Sequence, residues 1–149
     1  IIETIIKTEK YYGLKFENIM IIEPTSPLRK KKDIERSIRR FFKKKFEALW
    51  TISPVNSDYH PLKQTFLRNN YLNFFFYNSK KISRRQQLKI SYIRNGVCYL
   101  FKRNYLLKNK NIYSSKIGYL ILNDRYISID DHNDLKLARK LFKKVIKFF

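Results

Sequence analysis

Asn18-Ile19-Met20-Ile21-Ile22 is an apolar run of buried-strand length, and it stops at Glu23-Pro24-Thr25-Ser26-Pro27. Pro24 and Pro27 have no N–H to give a ladder and hold their own backbone rigid, so the chain leaves the strand there as a stiff loop. A helix reads directly after it, over Asp33–Phe46, with Ile34, Ile38, Phe41 and Phe42 on one face and lysines and arginines on the other. Strand, rigid loop and amphipathic helix in that order are one unit of an α/β fold.

The rest of the chain repeats the alternation. Upstream, the apolar positions of Ile1 to about Tyr12 read as the end of a helix, with Gly13 as its stop. Downstream, Ala48–Val55, Gly96–Lys102, Gly118–Leu122 and Tyr126–Ile129 read as strands, and Asn104–Lys108 as a short helix. Thr65–Tyr77 reads as extended structure or a hairpin turning at Asn69-Asn70. A last helix starts in Asp130-Asp131-His132-Asn133-Asp134, with Leu135, Ala138, Leu141, Phe142 and Val145 as its apolar stripe. The pattern predicts a three-layer α/β domain with a mostly parallel sheet. Ligands of such sheets bind beyond the carboxyl ends of the strands, which singles out the loops after Ile22 and after Ile129.

Composition sets the class. The 149 residues suit one domain, and 44% hydrophobic content with 12 Phe and 11 Tyr belongs to a folded protein, not a basic tail. No apolar run reaches the roughly 18–20 residues of a membrane span, and Ile1–Ile6 lacks the features of a signal peptide. A soluble, cytoplasmic protein is the expectation. The single cysteine, Cys98, lies among Val97, Tyr99 and Leu100 and reads as a buried strand thiol. The chain opens at Ile1, as a processed product or a partial sequence would.

A net charge of +21 invites a nucleic-acid reading, since Lys and Arg that neutralise phosphates drive such binding. The basic residues are spread along the whole chain, and no RNA- or DNA-binding motif accompanies them. Abundant Lys, Ile, Asn, Phe and Tyr with scarce Gly and Ala is what an AT-rich coding genome imposes on any surface. Nucleic acid is therefore the lesser expectation as a partner.

Four segments in order resemble the acylneuraminate cytidylyltransferase family. Ile21-Ile22-Glu23-Pro24-Thr25-Ser26-Pro27-Leu28-Arg29 followed by Asp33-Ile34 is similar to its "LLQPTSPLR…DI" loop. His60-Pro61-Leu62-Lys63 matches its "HPxK". Arg84-Arg85-Gln86-Gln87-Leu88 with Asn95-Gly96-Val97-Cys98-Tyr99 matches "RRQxL…NGAIY", and Ile127–Leu135 resembles "IDIDxxxDL". Each is weak alone; their order and spacing carry the resemblance over nearly the whole chain.

The resemblance implies a Rossmann-like three-layer nucleotidyltransferase fold that joins CTP to an acidic sugar, sialic acid or a related nonulosonic acid, with Mg2+ or another divalent cation. It implies a homodimer, built through a projecting element at about residues 59–95. Glu23, Thr25, Ser26 and Arg29 would line the nucleotide–sugar cleft, although Arg29 could equally brace the next helix. Glu23 stands where glutamine is commonest, and a carboxylate there needs a partner or a different sugar. Lys63 and Arg85 fall on positions tied to the anionic sugar and the dimer contact; a guanidinium grips a carboxylate through two parallel hydrogen bonds. Asp130 would hold the metal, with Ser128 in place of a first aspartate on the same strand face and Asp131 nearer the helix start. The family's phosphate-cradling "ARxGSKxxxxKN" opening has no counterpart, so the domain is expected to be N-terminally truncated. A non-catalytic remnant and a basic nucleic-acid-binding protein are the alternatives.

Overall fold

The buried run Asn95–Phe101 lies inside β5 (Tyr92–Lys102), the longest strand of the computed structural model, which describes residues 1–113, 116–124 and 126–146, the side chains of 144–146 excepted. The chain divides into two units, Ile1–Ile52 with Arg94–Phe149, and Ser53–Ile93.

In the first unit β5 lies between β1 (Asn18–Ile21) and β2 (Ala48–Pro54), and β6 (Gly118–Ile121) closes the far edge, giving the order β1-β5-β2-β6. β2 and β6 are parallel, with Leu49 opposite Gly118 and Ile52 opposite Ile121. β1 is antiparallel to β5, with Asn18 opposite Lys102 and Ile21 opposite Tyr99. The bonds Lys102 N to Glu47 O and Cys98 N to Thr51 Oγ1 run β5 and β2 in opposite directions too. The mostly parallel sheet expected from the alternation is thus corrected: β5 opposes its neighbours. No α-helix separates β2 from β5 in sequence, and parallel pairing needs a long crossover, usually helical.

Helices cover both faces. Tyr99 and Phe101 pack with Ile5 of α1 (Ile2–Tyr12) and with Tyr105 and Leu106 of α3 (Arg103–Asn109). Leu100 and Leu49 pack with Phe41 of α2 (Lys31–Lys43). On α2 the residues Asp33, Ser37 and Phe41 are buried, each four positions from the next. Phe42, expected on that face, is 55% exposed, because its neighbour Phe41 takes the inward direction and one residue turns about 100° of helix. Gly13 ends α1 in the left-handed region at φ 64, as read from sequence.

α4 (His132–Ile146) buries Ala138 and half-buries Leu135 and Leu141, while Phe142 is exposed. The side chain of Val145 lies outside the described residues. Tyr126–Ile129, expected as a strand, has no ladder among the described residues, where the Ile129 N–H reaches across to Thr25 O at 2.9 Å.

The second unit holds a hairpin of β3 (Thr65–Arg68) and β4 (Tyr71–Phe74), paired Thr65 to Phe74 and Arg68 to Tyr71. Asn69 (φ 51) and Asn70 (φ 62) form the turn; both angles are positive, as a two-residue hairpin loop with the strands' own twist requires. Val55 N to Ser91 O at 2.9 Å ties the ends of the unit together. Leu67, Tyr71, Leu72, Phe75, Phe76 and Tyr77 are exposed. His60 is buried with both ring nitrogens used: Nδ1 accepts from Leu62 N at 3.1 Å and Nε2–H donates to Lys89 O at 3.0 Å. It is a framework residue.

Candidate functional site

At the carboxyl end of β1 the loop 23–29 folds back on itself. Ser26 N donates to Glu23 O at 3.2 Å, and the Arg29 guanidinium donates to the same carbonyl. The Arg29 contact lies within its own loop and not on the next helix. The Ser26 hydroxyl, fully buried, donates to Asn95 O at 3.2 Å and so fastens the loop to the start of β5.

Gly96 explains why that contact is so close. Its φ is +69, and a Cβ built there would lie 2.3 Å from Ser26 Oγ and 2.7 Å from Glu23 Oε2. Glycine is required both by the backbone and by the space. Asn95 and Gly96 lie within β5 and not in a turn, and Gly96 is the seat of the loop.

The Tyr99 hydroxyl receives the Gly96 N–H at 3.2 Å and lies within reach of the Glu23 charge. Burial first, and then the Glu23 charge, push the Tyr99 phenol above its ordinary range. Arg94 is engaged elsewhere, over the rings of Trp50 (5.1 Å) and Tyr113 (5.6 Å). The Cys98 thiol is fully buried and raised by desolvation, which suits a packing role.

The segment before α4 lies against the same loop. Thr25 O accepts from Ile129 N, and the Ser128 hydroxyl donates to Thr25 Oγ1 at 3.3 Å. Upstream, Tyr126 donates to the buried carboxylate of Asp33 at 2.6 Å, and Lys30 binds Asp124 at 2.5 Å. The Lys30 ammonium holds the Asp124 carboxyl below its usual range. Four attachments therefore join residues 124–129 to residues 25–33.

The aspartates divide by role. Asp131 Oδ1 accepts from Asn133 N (2.7 Å) and Asp134 N (2.9 Å), while Asp134 Oδ2 accepts from the N–H groups of Asp130 (3.2 Å) and Asp131 (3.3 Å). That is a reciprocal cap of α4. Asp130 is exposed, and its carboxylate has no partner among the described residues. The strand periodicity that would have set Ser128 and Asp130 on one face does not apply, because 126–130 is irregular.

In the second unit Lys63 and Arg85 meet in one cavity of about 540 Å³. Lys63 also reaches Asp58 at 3.4 Å. Glu23, Thr25, Ser26, Arg29 and Asp130 belong to the first unit and Lys63 and Arg85 to the second, so the structure brings each set together separately. Sequence reasoning missed Tyr99, Tyr126 and the burial of Asp33. Tyr99 lies in an apolar strand and Asp33 in a helix's first turn, where both residue types are commonplace.

No protein-family model matches the chain. It is 23% identical over 151 residues to the post-translational flagellin modification protein B of Campylobacter coli, covering 95% of this chain and 60% of that protein. In structure it resembles a CMP:2-keto-3-deoxy-manno-octonic acid synthetase complexed with CTP, with TM-score 0.64, 10% identity, and 96% of this chain on 68% of the other. The fold is that of a nucleotidyltransferase. A Bacillus anthracis protein assigned as a glucose-1-phosphate thymidylyltransferase and solved with sucrose shares it, with TM-score 0.56, 15% identity, and 95% of this chain on 60% of the other. These likenesses support the resemblance drawn from the four motifs. The chain spans 60% of the length of the curated relative it matches.

Proposed function

We propose that these residues are the sugar-side and metal-side part of a cytidylyltransferase that transfers CMP from CTP to an acidic nonulosonic-type sugar. The observation that carries the proposal is the single seat shared by the loop 23–29, Gly96 and the segment 128–130 at the carboxyl end of β1, where α/β sheets of this kind bind ligands. In the reaction the sugar's anomeric oxygen bonds to the α-phosphorus, the α–β bridging P–O bond breaks, and pyrophosphate leaves while the hydroxyl proton passes to solvent. The protein's part is positioning and charge stabilisation.

A divalent ion fits the donors present at a minimum level. Among the described residues no three His, Cys, Asp or Glu gather. Asp131 and Asp134 are spent on the cap, which leaves Asp130 as the carboxylate ligand and the Ser128 hydroxyl nearby. Magnesium commonly takes one or two protein carboxylates and completes its shell with phosphates and waters. When bound, it would neutralise phosphate oxygens of CTP.

Lys63 and Arg85 supply positive charge suited to the sugar carboxylate. Homodimerisation through the second unit is part of the proposal, supported by its exposed aromatic hairpin, since aromatic residues are enriched at interfaces. The test is CMP-sugar formation by the complete protein that carries these residues, with CTP, Mg2+ and a panel of sialic, legionaminic, pseudaminic and octulosonic acids. Pyrophosphate release that depends on one acid is expected. Release with none of them, beside an active control enzyme, would contradict the proposal.

A further inference from the structure

The cavity of the second unit has a feature that Lys63 and Arg85 do not explain. Ser79 lines it and is 5% exposed, and its hydroxyl oxygen is buried with no hydrogen-bond partner among the described residues. A buried hydroxyl without a partner costs on the order of 1–3 kcal/mol, so such groups are rare unless something binds them. The backbone of Ser79 is otherwise fixed, with its N–H on Phe76 O at 3.0 Å and its carbonyl on Ile82 N at 3.2 Å.

The walls around it are of two kinds. Leu62, Phe74 and Ile82 are apolar, and Lys80 and Arg84 add to the charge of Lys63 and Arg85. Across residues 53–93 there are seven Lys and Arg against one acidic residue, Asp58, whose ion pair is with Lys63. Lys80, Arg84 and Arg85 thus face the cavity with no carboxylate of their own unit to neutralise them. These cations are exposed and so partly screened by water, which leaves the buried Ser79 hydroxyl as the shielded group of the cavity.

We propose that this cavity binds a compact oxyanion, a carboxylate or a phosphate, with the Ser79 hydroxyl as its buried donor and Lys80 and Arg84 as further cationic contacts. A hydroxyl donating to an anionic oxygen, flanked by cations, is the charge-assisted arrangement that such ligands require. The inference needs no CTP chemistry. It concerns binding alone, so a protein that made no CMP-sugar would still test it.

The experiment is an NMR titration of the 15N-labelled complete protein with inorganic phosphate and, separately, pyruvate, at constant ionic strength. Saturable shifts at Ser79 and its neighbours are expected, and the tighter of the two probes identifies the oxyanion class. Ser79→Ala should weaken binding about tenfold, the typical worth of one hydrogen bond to a charged group. Lys80→Gln should weaken it about threefold, while Lys81→Gln, which removes the same charge from a side chain outside the cavity and over the Tyr77 ring, should leave it unchanged. Lys80 is exposed, so its substitution keeps the test valid should Ser79→Ala fold poorly. Shifts that never saturate, equal weakening by Lys80→Gln and Lys81→Gln, or no effect of Ser79→Ala in folded protein would overturn the proposal and leave only diffuse attraction.

Discussion

The Tyr126 hydroxyl donates to the Asp33 carboxylate at 2.6 Å, across 93 residues of sequence, and Asp33 is 1% exposed. The bond anchors the irregular segment before α4 to the first turn of α2. Tyr126→Phe leaves a buried carboxylate short of a donor and is expected to cost about 1–3 kcal/mol in chemical denaturation with an unchanged m-value. Burial first and the Asp33 hydrogen bond next raise the Tyr126 phenol, so the folded state keeps its proton longer than the unfolded chain. That stability is complete below the ordinary tyrosine range of about 10 and falls as pH rises above it. Loss of this alkaline limb in Tyr126→Phe is the check.

Gly96→Ala should be one of the most damaging small substitutions in the first unit. The left-handed φ costs on the order of 1–3 kcal/mol, and the methyl must also displace Ser26 Oγ and Glu23 Oε2. Gly13→Ala is the control: its φ is +64, but nothing lies within 4 Å of the added carbon, so only the backbone cost of about 1 kcal/mol applies. Equal losses for the two would show that the Ser26–Glu23 seat carries no strain.

Most of the secondary structure could be read from these residues because each signal was local. Pro24 and Pro27 ended β1, Gly13 ended α1, and Asn69-Asn70 turned the hairpin. What escaped depends on distant partners. Nothing near Asp33 or Tyr126 announces their bond, and the direction of β5 follows from the missing crossover helix, not from its apolar run. Of the candidate site, the loop 23–29 and Asp130 were legible as motifs. The nearness of Tyr99 to the Glu23 charge was not, since tyrosine in a buried strand ordinarily reads as packing.

Glu9 and Arg103 join α1 to α3 through two bonds, Nε to Oε1 at 2.6 Å and Nη2 to Oε2 at 2.8 Å, and Glu9 Oε1 also accepts from Phe16 N at 3.1 Å. The Arg103 guanidinium holds the Glu9 carboxyl below the usual carboxylate range. A lowered folded-state value contributes stability that is present above the unfolded value, about 4.3 for glutamate, and is lost as pH falls through the folded one. Glu9→Gln should lower stability at neutral pH and flatten that part of the acid limb. An unaltered limb would mean that other carboxylates set it.

Leu67 on β3 is 79% exposed opposite Leu72 at 62% on β4. If the hairpin is the dimer surface, Leu67→Glu should shift light scattering from dimer to monomer at micromolar concentration, with folding intact because the side chain is largely exposed. A wild-type monomer under the same conditions would remove the dimer from the account.

The most direct measurement is the rate of CMP transfer from CTP to the accepted sugar acid by the complete protein at limiting Mg2+, in wild type, Asp130→Asn and Asp131→Asn. If Asp130 is the metal's carboxylate, its loss should lower the rate at least about a hundredfold, the scale on which a single charge-stabilising contact acts. Asp131→Asn should keep most of the activity, because asparagine caps a helix about as well as aspartate does. Ser128→Asp should lower the Mg2+ needed for half-maximal rate. Near-full activity of Asp130→Asn at limiting Mg2+, or collapse of Asp131→Asn instead, would contradict the account.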